Sequence, residues 1–124
     1  MAKRKMSKIS SNTSTIYEMQ AEICSALASA VRLQILDILS EGETTSSDLL
    51  EVLVISKANL SQHLAVLKDV GIIQSRKEGQ FQYMSLAIPK IKEACSLVRS
   101  LLVEKIGMEE KKNSELIREL RAQR

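Results

Sequence analysis

A leucine ladder, Leu60, Leu64 and Leu67, opens behind Ser56 and closes at Gly71, and it constrains this 124-residue chain more than any other feature. Spacings of four and three put the three side chains on one side of an α-helix. Ser56 stands where an N-cap belongs, because its hydroxyl can accept an early backbone N–H. Gly71 suits the left-handed residue that commonly follows a helix. The pattern predicts a helix over Lys57–Asp69. Ahead of it, Thr44 to Ser47 are polar residues able to cap, and Asp48–Leu53 reads as a short helix. Only Val54, Ile55 and Ser56 separate the two. Two helices so closely joined, the second capped and amphipathic, form a helix-turn-helix pattern.

The flanking segments read as follows. Residues 1–12, basic and Ser-rich, are expected to be a disordered arm. From Thr13 a 3.6-residue period links Ile16, Met19, Ile23 and Leu27, with Gln20 and Cys24 at its edge. Val31–Leu39 is apolar nearly all round, as a central buried helix would be, and Ser29 either closes one helix or begins the next. After Gly71 the period changes. Ile72–Lys77 and Phe81–Leu86 are strand-like runs about Glu78, Gly79 and Gln80, which predicts a hairpin. Pro89 opens a last helix carrying Ile91, Ala94, Cys95, Val98, Leu101, Leu102 and Ile106 on one side. The expected organisation is an arm (1–12), one domain (13–106) and a charged tail (107–124) whose Leu116, Ile117 and Leu120 allow a helical extension. The fold class is mainly α with a β-hairpin wing (α+β): four helices, two strands and a fifth helix, a winged helix-turn-helix.

Composition narrows the function. With 44% hydrophobic and 27% charged residues the chain suits a single soluble domain. Tyr17, Phe81 and Tyr83 are its aromatics, so aliphatic side chains must fill a modest core, and such a core gains from oligomerisation. No apolar run approaches the ~20 residues of a membrane span. The basic start is not followed by an uninterrupted apolar stretch, so no secretory signal is expected and the cytoplasm is the expected compartment. The net charge is +3. Its distribution is uneven: residues 9–52 carry seven acids against Arg32 alone, while 53–106 carry eight bases against four acids. A basic middle can turn one face to phosphates. There is no Gly-rich phosphate loop, no Ser-His-Asp set and no open zinc site, which leaves an enzyme without support.

Opposite the ladder fall Ala58, Ser61, Gln62 and Ala65, with Lys57, Asn59 and Val66 on the flanks. A solvent-facing helix more often carries Glu and Lys pairs there. Small side chains let a helix sink into a major groove, and Gln can pair with the edge of adenine. In the hairpin, Arg76, Lys77 and Gln80 surround Gly79, where a wing lays such residues along a DNA backbone or into the minor groove. Candidate contacts to double-stranded DNA are therefore Ser56, Lys57, Ala58, Asn59, Ser61, Gln62, His63, Arg76, Lys77 and Gln80. The plainer readings are an ordinary solvated helix face and a solvated turn, and a winged helix used only to bind proteins remains open.

Residues 26–104 resemble the ArsR/SmtB family of winged-helix repressors. The resemblance is carried by LASAVRLQILDILSEGE at 27–43, SKANLSQHLAVLK at 56–68 and GIIQSRKEGQFQYMSL at 71–86, in the family's order and spacing. It implies a homodimer formed by the first and last helices, seated on a palindromic operator and released by an inducer. Many relatives bind metal through a Cys-x-Cys pair on the third helix, whereas Thr45 and Ser47 hold the matching positions here. Hydroxyls are poor ligands for soft metals. Other relatives bind zinc through histidines between their last helices. His63, the one histidine, lies instead on the recognition helix at the edge of the leucine ladder, as a packing or DNA-contacting residue. No cofactor or metal is expected, although an arsenic- or metal-responsive repressor with a non-standard site stays among the alternatives. Cys24 and Cys95 lie on the two helices assigned to the dimer. Some relatives sense oxidants or reactive sulfur by linking an early and a late cysteine, but they usually keep the early one on the second helix, where Asp37 stands here. Both thiols can equally be small packing residues.

Overall fold

Hydroxyl side chains start three helices in the computed structural model, which describes residues 11–122. Helix α1 runs over Ser11–Leu27 and α2 over Ala30–Ser40. Between them Ser29 is the N-cap of α2 and accepts the Arg32 N–H. Thr45 caps α3 (Ser46–Val52) by accepting the Asp48 N–H, and Ser56 caps α4 (Lys57–Asp69) by accepting the Asn59 N–H. Strands β2 (Ile73–Glu78) and β3 (Phe81–Leu86) follow, and then α5 (Ile91–Ala122). Of the arm expected at 1–12, residues 1–10 lie outside the described residues, whereas Ser11 and Asn12 already belong to α1.

The winged helix-turn-helix arrangement is present, with one strand more than the hairpin. Thr44–Thr45, read from sequence only as capping residues, form a short strand β1 against β3, with Thr44 opposite Met84 and Thr45 opposite Tyr83. The sheet order is β1-β3-β2, antiparallel throughout. Two residues are too few for any periodicity, so nothing in the sequence distinguishes this strand from a turn. The wing turn is Gly79–Gln80, one residue tighter than expected, because Glu78 pairs with Phe81 inside the ladder. Gly79 takes φ 63°, as the first central residue of a hairpin turn of the II′ kind requires.

The core of the segment up to Ile88 is aliphatic. Ile35, Leu36 and Leu39 from α2, Leu49 and Leu53 from α3 and its end, and Leu60, Leu64 and Leu67 from α4 form this core with Ile72 of the turn after α4 and Ile73 and Met84 of the sheet. Helix α2 is one-sided rather than buried all round, since Leu33 is exposed and Ile35, Leu36 and Leu39 carry its burial. Helix α4 ends in a paired C-terminal turn. Gly71, at φ 78°, donates to the Lys68 carbonyl at 2.9 Å, and Ile72 donates to the Leu67 carbonyl at 3.0 Å. These are the two hydrogen bonds of a Schellman motif, with buried Leu67 and Ile72 as its usual apolar pair. The turn sends the chain directly from α4 into β2.

The described chain divides into two units after Ile88, and the second is α5. This helix continues unbroken through Gly107 to Ala122, so the boundary expected at 106/107 falls inside it. A single glycine costs a helix only about 1 kcal/mol relative to alanine. Lys105 and Glu109 pair across it at 3.9 Å, one turn apart. No single helix is long and apolar enough to cross a membrane among the described residues.

Leu67 is fully buried and Val54 fully exposed, which gives a paired test of the core. In urea unfolding followed by circular dichroism, Leu67→Ala is expected to remove about 2–5 kcal/mol of stability. Val54→Ala is expected to change it by less than about 0.5 kcal/mol. Equal effects would show that α4 is not anchored by its ladder.

Candidate nucleic-acid interface

The Ser56 cap sets the phase of α4. Its Oγ accepts from the Asn59 N–H at 3.1 Å, and from that start each residue turns by about 100°. Leu60, Leu64 and Leu67 consequently point inward. Ser56, Lys57, Ala58, Asn59, Ser61, Gln62 and Ala65 are exposed. Positions 58, 61, 62 and 65 share one face, as their spacing requires. That face carries no carboxylate, the acid of α4 being Asp69 in its last turn. Lys57 adds one cation at the helix start, where the macrodipole also favours an anion. Small residues at 58, 61 and 65 allow a close backbone approach, and the Gln62 carboxamide supplies a donor and an acceptor side by side.

His63 belongs to a different place. It is half-buried, and its Nδ1 lies 3.2 Å from Nη1 of Arg32. A guanidinium only donates, so Nδ1 is the acceptor in this contact. The same Arg32 donates from Nε to the Ala26 carbonyl at 2.6 Å and from Nη2 to the Ser25 carbonyl at 3.2 Å. One cation thus satisfies the carbonyls at the C-terminus of α1 and holds an α4 side chain. His63, expected at the edge of the leucine ladder as a packing or DNA-contacting residue, turns to this junction because it follows Leu60 by three residues and precedes Leu67 by four.

The wing residues also separate. Lys77 and Gln80 are exposed, near and at the tip. Arg76 is half-exposed but engaged. Its Nη2 and Nε meet the two oxygens of Glu43 at 2.6 and 3.2 Å, its Nη1 pairs with Glu78, and its guanidinium lies 4.4 Å from the Tyr83 ring centroid. Hydrogen bonds to Glu43 and then Glu78 raise the Arg76 pKa above its ordinary value. Arg76 is therefore paired with carboxylates while half of its side chain stays in solvent, because it stands on the strand face opposite Met84 and beside the turn that carries Glu43.

Thr45 uses its hydroxyl to cap α3, accepting the Asp48 N–H. Among the described residues no group of three or more His, Cys, Asp or Glu side chains is gathered around a common point. Cys24 is exposed on α1, and Cys95 is half-buried on α5. Three residues with clear roles were absent from the sequence-based set: Arg32, Glu43 and Tyr83. Arg32 had one local signal, as the lone base among seven acids over residues 9–52. Glu43 had none, since its partner lies 33 residues away.

Comparison with known proteins agrees with this geometry. The sequence pattern of the bacterial regulatory proteins of the arsR family matches residues 29–75. The chain is 34% identical over 88 residues to the uncharacterised helix-turn-helix transcriptional regulator Rv0081 of Mycobacterium tuberculosis, spanning 70% of this chain and 77% of that one. The crystal structure of Rv0081 superposes with a TM-score of 0.71 at 30% identity, covering 76% of this chain and 95% of that one. The transcriptional repressor SdpR of Bacillus subtilis is 41% identical over 61 residues, 49% of this chain and 68% of its own. A homodimeric winged helix-turn-helix DNA-binding domain from Mycobacterium bovis, solved by NMR, gives a TM-score of 0.71 at 29% identity over 82% of this chain and 94% of that one.

The Arg32 junction carries its own test. Lysine keeps the charge but cannot reach Ser25, Ala26 and His63 from one rigid fork. Arg32→Lys is expected to lower unfolding stability by about 1.5–3 kcal/mol, the range for hydrogen bonds to a charged group. A urea midpoint equal to that of the unaltered protein would remove the junction from the account.

Proposed function

The chain belongs to the arsR family of bacterial regulatory proteins, and on that premise we propose that it works as a homodimeric repressor whose α4 helices read a palindromic operator. Its relatives are transcriptional regulators rather than enzymes. The observation that carries the reading is the carboxylate-free outer face of α4, where Lys57, Ala58, Asn59, Ser61 and Gln62 are presented together while the leucines anchor the other side. Gln62, and Lys57 at the helix start, supply base-edge readout, while Ser56 and Asn59 lie beside the backbone. Lys77 and Gln80 in the wing add phosphate and minor-groove contacts.

Dimerisation is supported by apolar side chains left in solvent. Ile16, Met19 and Ile23 on α1 and Val98, Leu101, Leu102 and Ile106 on α5 are all exposed, and such faces mark interaction surfaces. The M. bovis neighbour is described as a homodimer, and SdpR as a repressor. A two-fold dimer matches half-sites about one helical turn apart.

A thiol-responsive release is the reading favoured for induction, because Cys24 is exposed rather than part of the aliphatic core. Two thiols would give two electrons and two protons to a peroxide, forming one disulfide and water. Loss of operator binding on peroxide treatment, abolished in both Cys24→Ser and Cys95→Ser, is the expected result. Release that persists in either variant removes the two-thiol route.

The central test begins with selection from a random-sequence duplex library. Gln62→Ala is expected to relax preference at one base position of the enriched sequence, at about 1–3 kcal/mol. Lys77→Ala is expected to weaken enriched and random duplexes alike and to make the salt dependence shallower by about 0.9 per protomer. No enrichment at low or moderate salt would overturn the reading and favour a protein-binding winged helix.

A further inference from the structure

Arg76 is the one strongly basic wing residue that sits among acids. We propose that Glu43, Arg76 and Tyr83 form a clasp that sets the wing against the helix-turn-helix, so that Arg76 is a positioning residue for DNA recognition and not a phosphate contact. The proposal rests on the DNA-binding reading above and assigns a separate task within it.

The chemistry of the guanidinium points this way. All three of its nitrogens are engaged, two on the Glu43 carboxylate in a two-point fork and one on Glu78, and its face covers the Tyr83 ring. A phosphate would have to displace a carboxylate already held in the geometry that suits Arg best. The cluster joins one cation to two carboxylates, so its net charge is negative and it does not attract a phosphate backbone. Phe81 closes the tip side of the same face, its ring 6.4 Å from that of Tyr83.

The placement in the fold gives the cluster its task. Arg76 and Tyr83 are cross-strand partners, and Tyr83 is in turn the partner of Thr45, so one row crosses β2, β3 and β1. Glu43 lies just before β1, and Thr45 at its end caps α3. The inner face of the wing packs on the core through Met84, and its outer face is tied to the approach to α3 by a strand of only two residues and by this side-chain clasp. Two backbone pairs hold a ribbon weakly. A fork from β2 to the segment leading into α3 fixes the ribbon's direction, and with it where Lys77 and Gln80 meet the backbone while α4 occupies a groove. Exposed ion pairs add little to global stability, so the effect belongs in recognition and not in melting.

The test uses the full chain, the duplex it enriches from the library, and a random duplex of equal length. Glu43→Ala, Arg76→Ala and Arg76→Lys are each expected to lower the ratio of enriched to random affinity by roughly five-fold, with the Glu43/Arg76 double variant no worse than the poorer single. Arg76→Lys is the informative member, because it keeps the charge and loses the fork. A phosphate contact would instead leave Arg76→Lys near the unaltered protein. It would also have Arg76→Ala weaken both duplexes equally, with a salt dependence shallower by about 0.9 per protomer in either Glu43 background. Those results, or an unchanged ratio in all variants, overturn the clasp. Hydrogen exchange on DNA-free protein keeps the question separate from DNA binding itself. Amides of β1 and β3 are expected to exchange about two- to five-fold faster in Glu43→Ala, and unchanged exchange overturns the proposal. A protein that enriches no duplex at all defeats the functional reading, while the exchange experiment still judges the clasp.

Discussion

Everything that α4 presents to a partner depends on the inward anchoring of Leu60, Leu64 and Leu67. Burying each such side chain contributes about 1.5–3 kcal/mol by transfer arguments. That term sets the rotation of the helix, and rotation decides which residues are outside. The ends sharpen it. Ser56 fixes the first turn through the Asn59 N–H, and the Gly71 turn fixes the last through the Lys68 and Leu67 carbonyls. A helix held at both ends and along one side cannot roll to hide Ser61 and Gln62 without exposing leucines.

Polar side chains then add links between segments at the margin of the aliphatic core. Arg32 gathers the carbonyls of Ser25 and Ala26 and the ring of His63, linking the end of α1 to α4. Arg76 gathers Glu43, Glu78 and Tyr83, linking the wing to the approach to α3. Both are arginines, and both use the guanidinium as a rigid fork that spans several acceptors. The outward face of α4 is left neutral apart from Lys57, which suits contact with base edges, while free cationic charge sits in the wing at Lys77. On the proposed reading, base readout and phosphate attraction are carried largely by different elements.

The apolar faces of α1 and α5 introduce a further layer. Side chains such as Ile16, Met19, Leu101 and Leu102 follow helical periods yet remain in solvent in the single chain. Their periodicity was legible, but periodicity reports only that a face seeks cover, not whether the cover comes from the same chain. Cys24 rides on one of these helices, so any chemistry at its thiol acts where a second copy is expected to sit.

Local signals determined much of this protein. Caps at Ser56, the leucine spacing, the glycine turns and the change of period after Gly71 are short-range patterns, and they specified α4, the hairpin and the outward set Ala58, Ser61 and Gln62. The long last helix was half legible, because Gly107 resembles a stop although its cost is small beside the helix formers around it. What tertiary structure alone decided are pairings between distant residues: β1 against β3, Arg32 against His63, and Glu43 against Arg76. Such pairings depend on which segments the core brings within a few ångströms, and no sequence window contains both partners. For that reason the pairing of Arg76, a basic wing residue, with Glu43 was not legible in the sequence.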